Sequence, residues 1–204
     1  MEKIVISCFD KTTKMVQPWA DAGCKCYCID TQHKSGENIN GNIIKIGIDI
    51  AEYMPPKKNV IFASFFPPCT HLAVSGAAWF KGKGLYRLAE SIKLFAHSIR
   101  IAEWLKVPYF IENPVSTIST YWREPNYKFD PCDYGGYLDP PGDKYLKTTC
   151  LWTGYGFKMP KMKPVFPSEG QKLHKLPPSP ERSNLRSETP MGFAVAVFEA
   201  NYKN

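Results

Sequence analysis

The stretch NVIFASFFPPCTH, residues 59–71, runs from an apolar segment straight into a reactive side chain. Residues 59–65 are short, apolar and rich in β-branched and aromatic types, which predicts a strand covered on both faces. Pro67 and Pro68 end it, because each lacks the N–H that a ladder needs. Cys69 follows at the strand's carboxyl end, with Thr70 and His71 beside it. The thiolate is the reactive form of cysteine, and an ordinary thiol titrates near pH ~8.5. A loop that offers free backbone N–H groups is expected to favour that thiolate. The segment by itself equally allows an inert cysteine packed under a loop.

The neighbouring segments repeat the pattern. KIVISCF (3–9) predicts a strand, and residues 10–23 a helix closed by Gly23. CKCYCID (24–30) predicts a second strand ending at Asp30. A polar loop then leads to NIIKIGIDI (42–50), a third strand with Asp49 near its end. Leu85, Leu88, Ile92, Phe95, Ile99 and Ala102 recur at helical spacing within residues 84–106. VPYFIENP (107–114) is a further strand ending at Glu112. Strands alternating with helices predict an α/β fold with a mainly parallel, Rossmann-like sheet. Ligands of such sheets lie beyond the carboxyl ends of the strands. Asp30, Asp49, Cys69 and Glu112 all fall there. A carboxylate at the end of an apolar strand is costly to desolvate without a task or a partner. A thiolate and an acid facing one cleft suit addition to an electron-poor ring.

Composition narrows the class. An apolar content of 44% supports a globular chain, and 204 residues suffice for one domain. The expected division is one domain over 1–204, with a proline-rich basic segment at 154–186 and a closing helix at 187–204. No run approaches the ~18 apolar residues of a membrane span. The start, MEKIVISCFD, has no basic leader before an apolar stretch. A cytoplasmic protein is expected. The seven cysteines are an odd set, and Cys24, Cys26 and Cys28 alternate, unlike the spacing of a zinc ribbon. They predict reduced packing residues and no metal site. The net charge of +7 suits a polyanionic partner without requiring one. Its basic residues include Lys158, Lys161, Lys163, Lys172, Lys175, Arg182 and Arg186.

Pro67-Pro68-Cys69 followed by Glu112-Asn113-Pro114 resembles the DNA (cytosine-5)-methyltransferase family, in particular its small phage- and plasmid-type members. PPCTHLAVSGAAWF, IENPVSTI, PCDYGGY, KTTCLW and the C-terminal GQKLHKLPPSPERSNLRSETPMGFAVAVFEAN carry the resemblance over nearly the whole chain. It implies a methyltransferase-type sheet, S-adenosylmethionine as cofactor and DNA as partner. Cys69 would add to C6 of cytosine and Glu112 would contact N3 and the exocyclic amine. Phe9, Asp30, Asp49 and Pro67 would border the cofactor, with Asp30 on its ribose and Asp49 on its adenine. Thr70, His71, Asn113 and Lys147 would face the substrate.

The chain departs from that pattern in three places. Phe9-Asp10-Lys11-Thr12-Thr13 has neither glycine of the family's Phe-x-Gly-x-Gly loop, where glycine allows close backbone approach and positive φ. Thr148 stands where the subgroup has arginine. Only the segment 154–186 is left for target recognition, which predicts weak sequence preference, a single-stranded or nucleotide substrate, or a protein partner that supplies recognition. Two other readings stay open. One is C5-pyrimidine chemistry with a different one-carbon donor or on a free nucleotide. The other is a binding protein that has lost the chemistry.

Overall fold

The computed structural model describes residues 2–202, apart from the side chain of Trp79. Eight strands form one sheet: β1 Ile4–Cys8, β2 Lys25–Ile29, β3 Gly36–Asn40, β4 Ile43–Gly47, β5 Val60–Phe65, β6 Tyr109–Pro114, β7 Tyr127–Phe129 and β8 Thr149–Gly154. Their order is β3-β4-β2-β1-β5-β6-β8-β7. β4, β2, β1, β5 and β6 are mutually parallel. β3 runs against β4, and β8 runs against both β6 and β7. The architecture is α/β with a mixed, mostly parallel sheet, compatible with a Rossmann-like fold.

The central strands read as continuous apolar runs because both of their faces are covered. Ile4, Ile6 and Cys8 of β1 face a core completed by Phe95, Ile101, Ala102 and Leu105 of helix α2, Phe80–Leu105. Val5 faces the opposite core with Phe62, Trp19 of α1 (Gln17–Asp21), and Phe193, Ala194, Ala196 and Val197 of the closing helix α5, Met191–Tyr202. Trp19 stacks on Phe62 with ring centroids 4.7 Å apart, which locks α1 to the sheet. Cys24, Cys26 and Cys28 are buried together in this second core, each as a free thiol. Residues 203–204 of the expected closing segment lie outside the described residues.

Two expectations need correction. The polar loop before the third strand holds β3, GENIN, which pairs with β4 through its backbone while its side chains stay largely in water. An edge strand of that kind needs no apolar alternation. The helix periodicity beginning at Leu85 marks a real boundary, since Gly84 breaks α2 with φ 77° and ψ 165°. Leu85 itself is 79% exposed and does not join the core.

From β1 the chain moves outward to β2 and β4, then crosses back to β5 on the other side of β1. The carboxyl ends of β1 and β5 therefore flank the topological switch point, where open α/β sheets form a crevice. Among the described residues, no helix is long and apolar enough to cross a membrane.

Candidate functional site

Cys69 sits on a turn fixed from both sides. Phe66 N–H donates to the Cys8 carbonyl at 3.0 Å, carrying the chain past the end of β5 along β1. The Cys69 carbonyl then accepts the N–H groups of Leu72 and Ala73, each at 2.9 Å. The next residues zip onto the chain beyond β6. Val74 N–H donates to the Val115 carbonyl and Thr117 N–H to that of Leu72, both at 2.9 Å. Asn113 is fully buried, and its Nδ2 donates to the Pro67 carbonyl at 2.9 Å. That amide holds the Pro-Pro-Cys segment beside the Glu-Asn-Pro segment. Its Oδ1 is shielded from solvent and has no partner.

Glu112 lies within β6 and not at its tip, opposite Leu151 of β8. It is nevertheless the first residue past the parallel ladder, which ends at Phe65 and Ile111. Lys147 Nζ is 3.8 Å from Glu112 Oε1, with both side chains mostly buried. This is an ion pair, too long for a good hydrogen bond.

Burial and then the Glu112 carboxylate push the half-buried Cys69 thiol up, while Lys147, its own backbone N–H and Arg186 pull it down. The expectation that the loop favours the thiolate is therefore corrected. Its N–H contribution is real but smaller than desolvation plus one carboxylate.

The space over Glu112 and Lys147 is narrow, and Cys69 is not among the residues that line it. The void over Glu112 and Lys147 holds about 10 Å³, room for about one water. Phe66, Phe129 and residues 187–190 wall it in. This strap follows α4, Arg182–Ser187, and leads into α5. Glu188 Oε2 anchors it to Lys14 Nζ at 2.6 Å, one residue beyond the loop after β1. Exposed ion pairs contribute only about 0–1 kcal/mol. Glu188→Gln is thus expected to speed hydrogen exchange of residues 182–190 up to about fivefold, with little change in global stability. Unchanged exchange there would show that Lys14 does not anchor the strap.

The loop after β1 replaces its missing glycines by other means. Thr13 takes φ 60° and Phe9 φ 59°, at a cost of roughly 1–2 kcal/mol per left-handed residue. The Asp10 carboxylate holds this shape. It accepts Thr13 N–H and Ser7 Oγ–H, both at 2.7 Å, and Ser64 Oγ donates to Ser7 Oγ at 2.9 Å. Lys11 Nζ reaches away to the Gln32 carbonyl at 2.6 Å, and His33 Nε2 lies 3.1 Å from the Asp10 carbonyl.

Asp30 is buried past β2, with Oδ1 accepting Gln32 N–H at 2.7 Å. Neither Asp10 nor Asp30 belongs to an ion pair among the described residues. Burial raises the Asp10 pKa and the nearby Asp30 charge adds to this, against its three hydrogen bonds. Asp10 is thus spent on the loop, and Asp30, past the end of β2, is the carboxylate left to meet a ligand that presents hydroxyl groups. A ribose diol is a ligand of that kind. Asp49 is farther out, exposed beyond β4, where its Oδ1 accepts Ala51 N–H at 2.8 Å.

The predicted residues thus fall into three groups. Cys69, Glu112, Lys147, Pro67 and Asn113 come together. Phe9 and Asp30 lie just past the carboxyl ends of β1 and β2, joined by Asp10, while Asp49 stands apart beyond β4. Thr70 and His71 turn elsewhere: the exposed Thr70 gives its carbonyl to Lys83 Nζ at 2.8 Å, and His71 lines a separate cavity of about 310 Å³. Thr148 is exposed. Arg186 and Glu188 were missed as site residues, and no local motif marks them, because they reach the site from the far end of the chain. No protein-family model matches the chain, and no curated protein matches it.

Proposed function

We propose that this protein is an enzyme of cytosine C5 chemistry on DNA, a (cytosine-5)-methyltransferase type in which Cys69 is the nucleophile and Glu112 the acid. The observation that carries this reading is the buried bond from Asn113 to the Pro67 carbonyl. It sets the loop of Cys69 beside the strand of Glu112, so the carboxylate weighs on the thiol. The mostly parallel sheet, with its topological switch point between β1 and β5, is compatible with a methyltransferase-type arrangement. S-adenosylmethionine, when bound, supplies an electrophilic methyl group.

The Cys69 sulfur bonds to C6 of the ring while its proton passes to the Glu112 carboxylate. Glu112 gives that proton to N3, and the electron pair of the C5–C6 double bond becomes available at C5. Once C5 has gained its substituent and passed its proton to a water molecule, the C5–H electron pair re-forms the C5–C6 double bond and the sulfur leaves as a thiolate. N3 returns its proton to Glu112 and the ring is restored. Lys147 and Arg186 both steady the developing thiolate. The base reaches Glu112 only when the strap at 187–190 lifts. Extruding a base from a duplex costs a few kcal/mol, so a single-stranded or already unpaired cytosine is the easier substrate.

The test is mass analysis of nucleosides from DNA of cells that express the protein. A deoxycytidine heavier by one methyl group on C5, and absent from cells expressing Cys69→Ala, is the expected result. Unaltered deoxycytidine despite abundant folded protein would contradict it.

A further inference from the structure

The cavity of about 310 Å³ beside the Cys69 turn is not used by the chemistry above. Its size reaches the range of small-molecule sites. Phe80, Leu85 and Tyr121 supply apolar and aromatic wall, and Lys81, Lys83 and His71 supply the polar part. No carboxylate lines it. Tyr121 is 56% exposed and Leu85 79% exposed, a costly display for side chains with no partner to meet. His71 Nδ1 is shielded from water yet unpartnered. Burial, Lys83 and Arg87 all lower the His71 pKa, which disfavours a further positive charge on the imidazole beside them.

Aromatic faces beside lysines are the chemistry of single-stranded nucleic-acid binding: the base stacks and the phosphate meets the cation. We propose that this cavity is a subsite for one nucleotide of the substrate strand next to the cytosine at Cys69. Its phosphate lies on Lys81 and Lys83, and its base against Phe80 and Tyr121. This rests on the function proposed above, and it names the substrate as a strand with at least one flanking nucleotide. The position is suitable because His71 lies two residues from Cys69, and Lys83 already holds the carbonyl of Thr70 between them. A phosphate on Lys83 would thereby bear directly on the loop that carries the nucleophile.

The test uses the full chain carrying Cys69→Ala and a fluorescent single-stranded oligonucleotide containing cytosine, followed by anisotropy. Adding Lys81→Ala and Lys83→Ala is expected to weaken binding at least tenfold. It should also flatten the salt dependence by about 0.7 in log K per log salt for each phosphate that is no longer neutralised. Lys81→Ala alone, at an exposed position, should act in the same direction and separates charge from any disturbance of the Thr70 loop. A strand with 5-iodouracil next to the cytosine should photocrosslink to Tyr121 or Phe80. Equal affinity in the variants, crosslinks confined to residues 158–175, or competition by free deoxycytidine monophosphate as strong as by the strand would each overturn the subsite. The binding readout needs no reaction at Cys69. Lack of any covalent adduct at Cys69 would therefore remove the proposed function while the affinity loss still stands, and equal affinity would remove the subsite while an adduct still stands.

Discussion

Cys69→Ala abolishes turnover, with an expected loss of about 10⁴-fold or more, because no other group can form the bond to C6. The fold should survive, since Cys69 is half-buried on a loop and its thiol fills no core position. A stability change within about 1 kcal/mol by urea denaturation is expected. The other six cysteines are buried and free. Burial pushes the thiols of Cys8, Cys26 and Cys28 strongly up, which makes them poor nucleophiles. Brief alkylation of the native protein should therefore add one label, at Cys69, and none in the variant. Labels spread over several cysteines would mean that Cys69 is not set apart.

Glu112→Gln is expected to lower turnover by about 10²–10⁴-fold, the usual worth of a positioned acid. The same change should make the thiol more acidic. The Glu112 charge raises the Cys69 pKa, so removing it lets the thiolate form at lower pH. The midpoint of the alkylation rate against pH should then move down. Lys147→Met should move it up, because Lys147 lowers the Cys69 pKa. Faster alkylation combined with slower turnover in Glu112→Gln distinguishes an acid that serves the ring from one that only tunes the thiol. A parallel fall in both would assign Glu112 a structural role.

The strands that build the sheet were legible because both faces are covered, which forces apolar runs such as Ile4–Cys8 and Val60–Phe65. The polar strand Gly36–Asn40 was not legible, since its backbone alone carries the pairing. Strand ends placed Asp30 and Cys69, because chain order in a parallel sheet brings carboxyl ends to one edge, whereas Glu112 lies within β6 just past its parallel pairing and Asp49 lies exposed beyond β4. The narrowing of the space over Glu112 was hidden. The strap at 187–190 reaches Glu112 through tertiary packing, and its anchor joins Lys14 to a residue 174 positions away. Thr13 was hidden in another way. Its left-handed conformation depends on the Asp10 carboxylate, which a glycine pattern does not anticipate. His71, adjacent in sequence to the reactive loop, lines a different cavity because the turn after Cys69 directs it away.

The most direct measurement is covalent trapping. The protein is incubated with S-adenosylmethionine and, in turn, duplex DNA, a single strand and the free nucleotide, each carrying 5-fluorocytosine, and then analysed by intact mass and peptide mapping. A denaturation-stable adduct on the peptide that contains Cys69, lost in Cys69→Ala, is the predicted result. No adduct on any of the three substrates, with a thiol that still alkylates normally, would contradict nucleophilic addition by Cys69.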